Sequence, residues 1–424
     1  MADEIESSQP FIEGRGQGFC RGCLGKQLFS ALNLGNLPIA NELLIDKDAP
    51  IEKYPLHLRV CVNCGLGQVA DVVTPERIFR DYRYLSSMST TFLQHASDFV
   101  DQQIQNGLIT KADWVLEIAS NDGYLLKNFI RYGIPALGIE PAENVAELAR
   151  SQGVKTISDF FSRELANKLV LEKGYPRLII ANNVMAHVPD LVDFIQGLAA
   201  LCGPDTNISI ENPSLMNIYM EMQFDTIYHE HYSYLSANSV SKLSELNGLQ
   251  LFKVEKLETH GGSNRYWLRQ LHSKESPDNS VFETKISEME SGLFEPERWI
   301  DYADKVKRIH FDLCEWLSED FDTERRIYGY GAAAKASTIL NSCGGQVEKI
   351  LAIADASQEK QGRYMPPSKI RIISPDELYE MKPTDILIFP WNIKKEILEN
   401  LSSNLGDSIR YWCIIPEMQK LSRL

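Results

Sequence analysis

The sequence predicts an α/β protein with a small cysteine-bearing module at the N-terminus and two doubly wound domains after it. Three observations lead to this fold class. Two Cys-x-x-Cys pairs begin at Cys20 and Cys61, strand patterns alternate with helix patterns over 114–211, and the same alternation returns after residue 326 behind a Gly-rich turn. Because parallel strands need crossover helices, this alternation is typical of doubly wound sheets.

Length and charge limit the possible functions. The chain has 424 residues and a net charge of −15, which favours two or three domains and argues against a nucleic-acid surface, since such a surface needs clustered Lys and Arg. No segment approaches the ~18 apolar residues of a membrane span, and no apolar signal core follows the acidic N-terminus. We expect a cytoplasmic protein that binds neither nucleic acid nor membrane, although a local pocket can still hold a small anion.

The first module carries a metal-binding pattern. Cys20-Arg-Gly-Cys23 and Cys61-Val-Asn-Cys64 can each place two thiolates on a tight turn. Four thiolates complete a tetrahedral zinc site without an open coordination position, so we predict a structural zinc ion. Redox or chance motifs are the alternative. The other four cysteines lie in apolar contexts that are typical of core residues.

The middle of the chain predicts a nucleotide-type ligand. A buried strand at 114–118 runs into the turn 119–123, and a second strand ends in the acid Glu140. An acid in this position binds ribose hydroxyls in doubly wound sheets. The turn is not Gly-x-Gly-x-x-Gly, which favours S-adenosylmethionine (SAM) over a dinucleotide, so methyltransferase is preferred to dehydrogenase with both left open.

The run Tyr228-His-Glu-His231-Tyr232 concentrates titratable groups. Two of the eight histidines of the chain lie here. Proton transfer near neutral pH usually uses His, so the run predicts a catalytic centre. A metal site or a capped helix start are the other interpretations.

The C-terminal part predicts a connector and a second α/β domain. Residues 285–322 are charged with apolar residues at helical spacing. A strand at 326–329 then enters Gly329-Tyr-Gly-Ala-Ala-Ala-Lys335 and a helix. A Gly-rich turn before a helix suits phosphate binding. A second SAM or NAD site, or a domain that only closes the cleft, are alternatives.

Together these motifs resemble a known family, the SAM-dependent nucleotide-sugar C-methyltransferases, which include dTDP-sugar 3-C-methyltransferases of deoxysugar pathways. The resemblance covers nearly the whole chain and depends on the following runs: the two Cys pairs, Tyr82-Arg-Tyr84-Leu-Ser-Ser86, Glu117-Ile-Ala-Ser-Asn-Asp-Gly123, Asn182-Asn-Val-Met-Ala-His187, Tyr228-His-Glu-His231, His260-Gly-Gly-Ser263, Gly329-Tyr-Gly-Ala-Ala-Ala-Lys335 and Gln361-Gly-Arg-Tyr-Met-Pro366. Ala333 and Ala336 depart mildly from the family's pattern. The departures leave the fold and the reaction in place and bear on the identity of the nucleotide and sugar.

The resemblance implies a zinc-binding module at 17–75, a Rossmann-like SAM domain at 76–270, a helical connector at 271–322 and a Rossmann-like nucleotide-sugar domain at 323–424. It implies SAM and structural zinc as cofactors, a dTDP-linked 4-keto sugar as the favoured substrate, and a monomer. His231 is the implied general base, with Glu230, Tyr228, His187 and Tyr84 around it. Implied SAM residues are Glu117, Ala119, Asn121, Gly123, Glu140, Asp159, Phe160 and Asn182. Implied substrate residues are Tyr82, Ser86, Ser263, Tyr330, Lys335 and Lys360.

Methylation of a sugar carbon needs a carbanion equivalent. A neighbouring ketone provides one, because proton removal then gives an enolate. The enzyme needs a base, donors for the enolate oxygen and a methyl group held opposite. The rival functions are a nicotinamide-dependent sugar oxidoreductase, a non-catalytic zinc and nucleotide-binding scaffold, and an O- or N-methyltransferase.

Overall fold

The computed structural model describes residues 18–70, 73–79, 87, 90–273, 276–319, 325–406 and 408–422. Its N-terminal module is an antiparallel sheet of β1 (Leu28–Leu37), β2 (Tyr54–Cys61) and β3 (Gly67–Gln68), followed by the short helix α1 (Pro75–Phe79). A fourth strand, β9 (Ser233–Tyr234), comes from far along the chain and pairs with β3, so the sheet order is β1-β2-β3-β9. The N-terminal module is therefore joined to the rest of the protein by backbone hydrogen bonds.

The middle domain is built around a seven-stranded sheet. Its elements are α2 (Thr90–Gln105), β4 (Val115–Ile118), α3 (Leu126–Arg131), β5 (Ala136–Ile139), α4 (Glu143–Ser151), β6 (Thr156–Ile157), α5 (Arg163–Lys173), β7 (Leu178–Asn182), α6 (Leu191–Leu201), β8 (Asn207–Pro213), α7 (Leu215–Met220), then, after β9, α8 (Ala237–Leu246), β10 (Leu249–Leu257) and β11 (Ser263–Gln270). The sheet order is β10-β11-β8-β7-β4-β5-β6.

Five of these strands are parallel, as the alternating pattern predicts. At one edge the sheet differs, because β11 pairs antiparallel with β8 and β10 pairs antiparallel with β11. The two strands are joined by a short 3₁₀ turn, Thr259–Gly261, with no helix between them. Without a crossover helix the chain can only return antiparallel.

The central strands of this sheet are apolar because they are buried on both faces. All four residues of β4 are buried, and β7 is apolar over its first four positions. Both faces of this sheet are covered by helices, so its central strands are continuous apolar runs. The one charged residue inside β4, Glu117, is therefore exceptional.

Two helices connect the domains, α9 (Asn279–Glu290) and α10 (Pro296–Ser318). In α10 the residues at helical spacing are buried, as the sequence predicts: Trp299, Tyr302, Val306, Ile309 and Leu313. They share a core with strands of the N-terminal module and with the C-terminal domain. The predicted boundary at 322/323 lies outside the described residues.

The C-terminal domain contains β12 (Ile327–Tyr330), α11 (Ala334–Leu340), β13 (Ile350–Ala354), β14 (Ile372–Ile373), α12 (Pro375–Glu380), β15 (Asp385–Ile388), α13 (Lys394–Leu405), β16 (Arg410–Cys413) and β17 (Gln419–Leu421). The sheet order is β14-β13-β12-β15-β16-β17, parallel except for β17. Chain order reverses at β12, which places the Gly-rich turn at a switch point where such sheets bind ligands.

None of the helices in the described ranges combines the length and apolar character that crossing a bilayer requires. The longest, α10, carries charged residues along its exposed face.

Candidate active site and metal centre

The four predicted metal ligands come together in the N-terminal module. The Sγ atoms of Cys20, Cys23, Cys61 and Cys64 all lie within 4.8 Å of one another. Sγ of Cys20 is 3.5 Å from Sγ of Cys64, and Sγ of Cys23 is 3.6 Å from Sγ of Cys61. Tetrahedral thiolates on zinc at ~2.3 Å would be about 3.8 Å apart. The donor set therefore fits a closed zinc site.

The turn after β4 has an unusual backbone. Ala119, Asn121 and Gly123 have φ of 55°, 49° and 78°. Positive φ is costly for Ala and Asn, and such strain is concentrated at functional sites. At Gly123 a Cβ would also lie 2.7 Å from Cγ2 of Val154. The predicted SAM turn is thus held in one specific shape.

Three carboxyl groups lie around this turn. Oε2 of Glu140 accepts from the backbone nitrogen of Asn121 at 2.9 Å, and Oε1 accepts from Ala142 at 3.0 Å. Among the described residues, Oε2 of Glu117 and Oδ1 of Asp122 are buried without a hydrogen-bond partner. Burial, with the nearby carboxylates Asp122 and Glu140, raises the pKa of Glu117 well above its usual range. Buried polar atoms are normally hydrogen-bonded, so these oxygens mark the turn as a candidate ligand site.

The other predicted SAM residues are also at the carboxyl edge of the sheet. Phe160 follows β6 and is 39% exposed, and Asp159 accepts from its backbone nitrogen at 2.8 Å. Asn182 ends β7, and its Oδ1 is buried without a partner in the described part of the chain. The ring of Phe160 is thus exposed, whereas the carbonyl oxygen of the Asn182 side chain is a buried acceptor.

His231 is fixed in one tautomer. Its Nδ1 lies 3.0 Å from the carbonyl oxygen of Thr226, which can only accept a proton. Nε2 of the neutral ring therefore carries the lone pair, and it lies 3.0 Å from the phenol oxygen of Tyr228. Burial, followed by the charge of neighbouring His187, lowers the pKa of His231 well below 6.5. The imidazole is neutral at pH 7 and able to accept a proton.

A second imidazole faces the first. The ring centroids of His187 and His231 are 4.7 Å apart. Nδ1 of His187 donates to the carbonyl oxygen of Glu230 at 2.6 Å, and burial lowers its pKa to about 4. Backbone carbonyl oxygens of Thr226 and Glu230 thus orient the two histidines.

The Glu230 carboxylate engages the N-terminal module. Its Oε1 accepts from the backbone nitrogen of Asn41 at 3.0 Å and from Nδ2 of Asn41 at 3.1 Å. Burial raises the pKa of Glu230. His229 also turns this way and donates from Nε2 to the carbonyl oxygen of Tyr54 at 3.1 Å.

The C-terminal domain contributes Lys335 to the same site. Nζ of Lys335 donates to Oγ1 of Thr226 at 3.3 Å and lies 4.2 Å from the ring centre of Trp391. Trp391 in turn donates to Oδ2 of buried Asp225 at 2.7 Å. Burial lowers the pKa of Lys335, and Asp225 opposes this. The Gly-rich turn therefore delivers a cation close to His231.

The remaining predicted substrate residues are placed differently. Lys360 is paired with Asp355 at 3.2 Å and donates to the carbonyl oxygen of Ala332 at 3.1 Å. Ser263 is 1% exposed and donates to the carbonyl oxygen of Thr259. Tyr330 is half-buried at the end of β12. Tyr82, Tyr84 and Ser86 lie outside the described residues.

A buried ionic cluster was not predicted. Oε2 of Glu211, at the end of β8, accepts from Nε2 of His95 at 2.9 Å and from Arg265 at 3.0 Å, and its Oε1 accepts from Thr259 at 3.0 Å. Burial opposes ionisation of Glu211, but the hydrogen bond from His95 and the charge of Arg265 outweigh it and hold its pKa low. The signal was an acid at a strand's carboxyl end.

The fold and site together define a class: a protein with two Rossmann-like domains, an attached four-cysteine metal module and a buried histidine site. Comparisons with known proteins specify it. Family models match over residues 20–79 (a zinc binding domain), 92–254 (a methyltransferase domain) and 258–416 (a C-methyltransferase C-terminal domain).

A relative matches along almost the whole chain. The C-methyltransferase NovU of Streptomyces niveus is 31% identical over 405 residues, which cover 95% of this chain and 96% of that protein. The chain belongs to the SAM-dependent C-methyltransferase family. SAM and zinc are its cofactors, and methyl transfer is favoured over nicotinamide oxidation and over a non-catalytic scaffold.

Two solved structures resemble part of the chain. Magnesium protoporphyrin IX methyltransferase from Synechocystis PCC 6803 is 14% identical with a TM-score of 0.34, covering 46% of this chain and 92% of that one. The PH0226 protein of Pyrococcus horikoshii OT3 is 14% identical with a TM-score of 0.35, covering 46% and 97%.

Proposed function

We propose that the protein transfers a methyl group from SAM to a sugar ring carbon, carbon 3, beside the 4-keto group of a nucleotide-linked deoxysugar. The observation that carries this proposal is the state of His231. A neutral, buried imidazole with its lone pair on Nε2 is suited to remove a proton from carbon. A C–H bond is acidic enough for such a base only beside a group such as a ketone.

Residues of this chain have distinct roles in the reaction. His231 takes the proton from carbon 3 on Nε2, while Thr226 holds Nδ1–H and keeps the ring in this tautomer. Tyr228 borders the same space and can supply its hydroxyl for the charge that develops on the keto oxygen. His187 lines the site beside His231, with its N–H held by the carbonyl oxygen of Glu230. Glu230 and Tyr84 complete the proposed set, with Glu230 as a positioning residue, because its carbonyl oxygen holds His187 while its carboxylate is bound to Asn41.

The bonds balance without a further reactant. The carbon–hydrogen electron pair enters the enolate, and carbon 3 then bonds to the methyl group as the methyl–sulfur bond breaks. When bound, SAM supplies an electrophilic methyl group on a positively charged sulfur. The proton on His231 leaves to solvent after the product departs. No redox change occurs, so nicotinamide is not required.

We place SAM over the turn 119–123. Glu140 would bind the ribose, with Asp159 and Phe160 at the adenine. Glu117, Ala119, Asn121, Gly123 and Asn182 would surround the rest. The strained backbone of the turn supports this placement, as do the buried oxygens of Glu117 and Asn182 that have no partner within the described ranges.

We place the nucleotide diphosphate, with dTDP favoured, against the C-terminal domain. Lys335 is its best-supported contact because the lysine stands in the site near His231. Tyr330, Ser263, Lys360, Tyr82 and Ser86 are further proposed contacts. We propose four units with separate roles: the zinc module at 17–75, the SAM domain at 76–270, the helical connector at 271–322 and the nucleotide-sugar domain at 323–424.

A turnover screen tests the proposal. SAM and a panel of 4-keto nucleotide sugars are incubated with the protein, and the product is examined by mass spectrometry and NMR. A new methyl group on the carbon beside the ketone is expected. A methyl group on oxygen or nitrogen, or turnover only of sugars without a ketone, would contradict it.

A further inference from the structure

The segment that carries the proposed base has two faces. Tyr228 and His231 lie on one side, against each other and against His187. His229 and Glu230 turn to the opposite side, where they hydrogen-bond with Tyr54 and Asn41 of the N-terminal module. Each residue that does not face the site is therefore tied to the cysteine-bearing module.

The first cysteine turn reaches the same segment through Arg21. Its backbone nitrogen donates to Oε1 of Gln68 at 3.0 Å, and its guanidinium donates to the carbonyl oxygen of Val69 at 2.6 Å. The guanidinium also lies 5.6 Å from the ring centre of Tyr232. Arg21 is 4% exposed, so these contacts are fixed rather than solvated.

The second cysteine turn continues directly into the strand that holds the segment. After Cys64 the chain passes Gly65, whose carbonyl oxygen accepts from Ser236 at 3.1 Å. It then forms β3, which pairs with β9, and Val69 donates its backbone nitrogen to the carbonyl oxygen of Tyr232 at 3.1 Å. Tyr232, the residue after His231, is thus held by a backbone hydrogen bond from the N-terminal module.

We propose that the four-cysteine centre positions the catalytic base, acting through Arg21 and strand β3 on the segment that contains His231. This rests on the proposed function only in naming His231 as the base. Both cysteine turns must keep their mutual geometry for Arg21 and β3 to converge on Tyr232, and four metal–thiolate bonds supply that geometry.

The physical reason is that proton transfer tolerates only a small displacement of the base. A catalytic side chain must be held within about 0.5 Å of its productive position, and a misplacement of ~1 Å can cost about 10²-fold in rate. His231 is held from one side by Thr226, on the segment before it. The metal module holds the chain on the other side.

The test compares two arginines of the N-terminal module. Arg21→Ala removes the link to Val69 and Tyr232. Arg77→Ala is the matched control, because the Arg77 guanidinium also combines hydrogen bonds, here to Glu42, with an aromatic contact, to Tyr54, but does so at the surface. The readouts are zinc content, kcat, and the ¹⁵N spectrum of the His231 imidazole, assigned by its absence in His231→Asn.

Arg21→Ala should keep one zinc per chain and bind SAM within twofold of wild type. Its kcat should fall at least tenfold. The separate ¹⁵N signals of protonated Nδ1 and unprotonated Nε2 of His231 should broaden or merge. Arg77→Ala should match wild type in all readouts. A wild-type His231 spectrum in Arg21→Ala overturns the proposal, whatever happens to kcat. The spectrum needs no substrate, so an error in the assigned sugar leaves this test intact.

If Arg21→Ala does not fold, Gly67→Ala takes its place. A Cβ on Gly67 would lie 3.0 Å from Cβ of Tyr234 and would push β3 away from β9, with all four cysteines unchanged. Retained zinc with an altered His231 spectrum and reduced kcat supports positioning. Retained zinc with a wild-type spectrum contradicts it.

Discussion

The imidazole rings of His187 and His231 face each other with their centroids 4.7 Å apart. Burial is the main cause of the low pKa of His231, and the charge of His187 is the next. A protonated His187 beside it makes protonation of His231 harder. The pair therefore keeps the proposed base neutral to a lower pH than an isolated histidine.

This relationship predicts a pH effect. A base acts in its unprotonated form, so a lowered pKa shifts the acid limb of kcat/KM below pH 6.5 in the wild type. His187→Asn removes one cause of the lowering, and the acid limb should move to higher pH. The measurement is a pH–rate profile, with His272→Asn on an exposed histidine as control. An acid limb that is unchanged or moves to lower pH would refute the coupling.

The zinc site predicts a metal stoichiometry. Protein purified without added metal should contain about one zinc ion per chain by elemental analysis, since four thiolates make one closed site. Cys64→Ser should lose the zinc and lower the melting temperature. Cys314→Ser, which alters a half-buried cysteine elsewhere, should keep the zinc. Metal-free wild type that is folded and active would contradict the assignment.

Glu140 provides a test of the SAM position. Its two oxygens also hold the turn 119–123 through Asn121 and Ala142. Glu140→Ala should therefore weaken SAM binding at least tenfold in calorimetry, with a smaller effect on the nucleotide sugar. Glu143→Ala changes an exposed acid paired with Arg150 and should bind SAM normally. If both variants bind SAM with the same affinity, the cofactor does not bind at Glu140.

Lys335 and Lys360 should differ in their effect on the substrate. Lys335 stands in the site beside Thr226, whereas Lys360 is paired with Asp355. Lys335→Ala should raise KM for the nucleotide sugar at least tenfold and leave SAM affinity unchanged, and Lys360→Ala should have a smaller effect. Steady-state kinetics of both variants decide this. A larger effect at Lys360 would relocate the diphosphate.

Much of the fold was predictable because its signals are local. Strand β4 is a short apolar run, and the buried residues of α10 recur at helical spacing. The Cys-x-x-Cys pairs are typical of metal-binding turns. The two antiparallel edge strands, β10 and β11, were not predicted. Strand direction depends on the connection, and the turn Thr259–Gly261 carries no helix pattern.

The parts of the site that escaped sequence reasoning are long-range pairings. Asn41 and Glu230 are separated by 189 positions, and His95 and Glu211 by 116. Periodicity says nothing about such partners. The positive φ values of Ala119 and Asn121 were not predictable either, because a left-handed backbone is expected at glycine and not at these residue types.

The most direct test of the central claim follows the proton on carbon 3. A 4-keto nucleotide sugar is incubated in deuterated water with the protein and the demethylated form of SAM, and deuterium at the carbon beside the ketone is measured by NMR. Wild type should exchange this proton. His231→Asn should bind both ligands yet lose exchange and methyl transfer by about 10²–10⁴-fold, the usual contribution of a general base. If exchange and methylation both persist in His231→Asn, His231 is not the base.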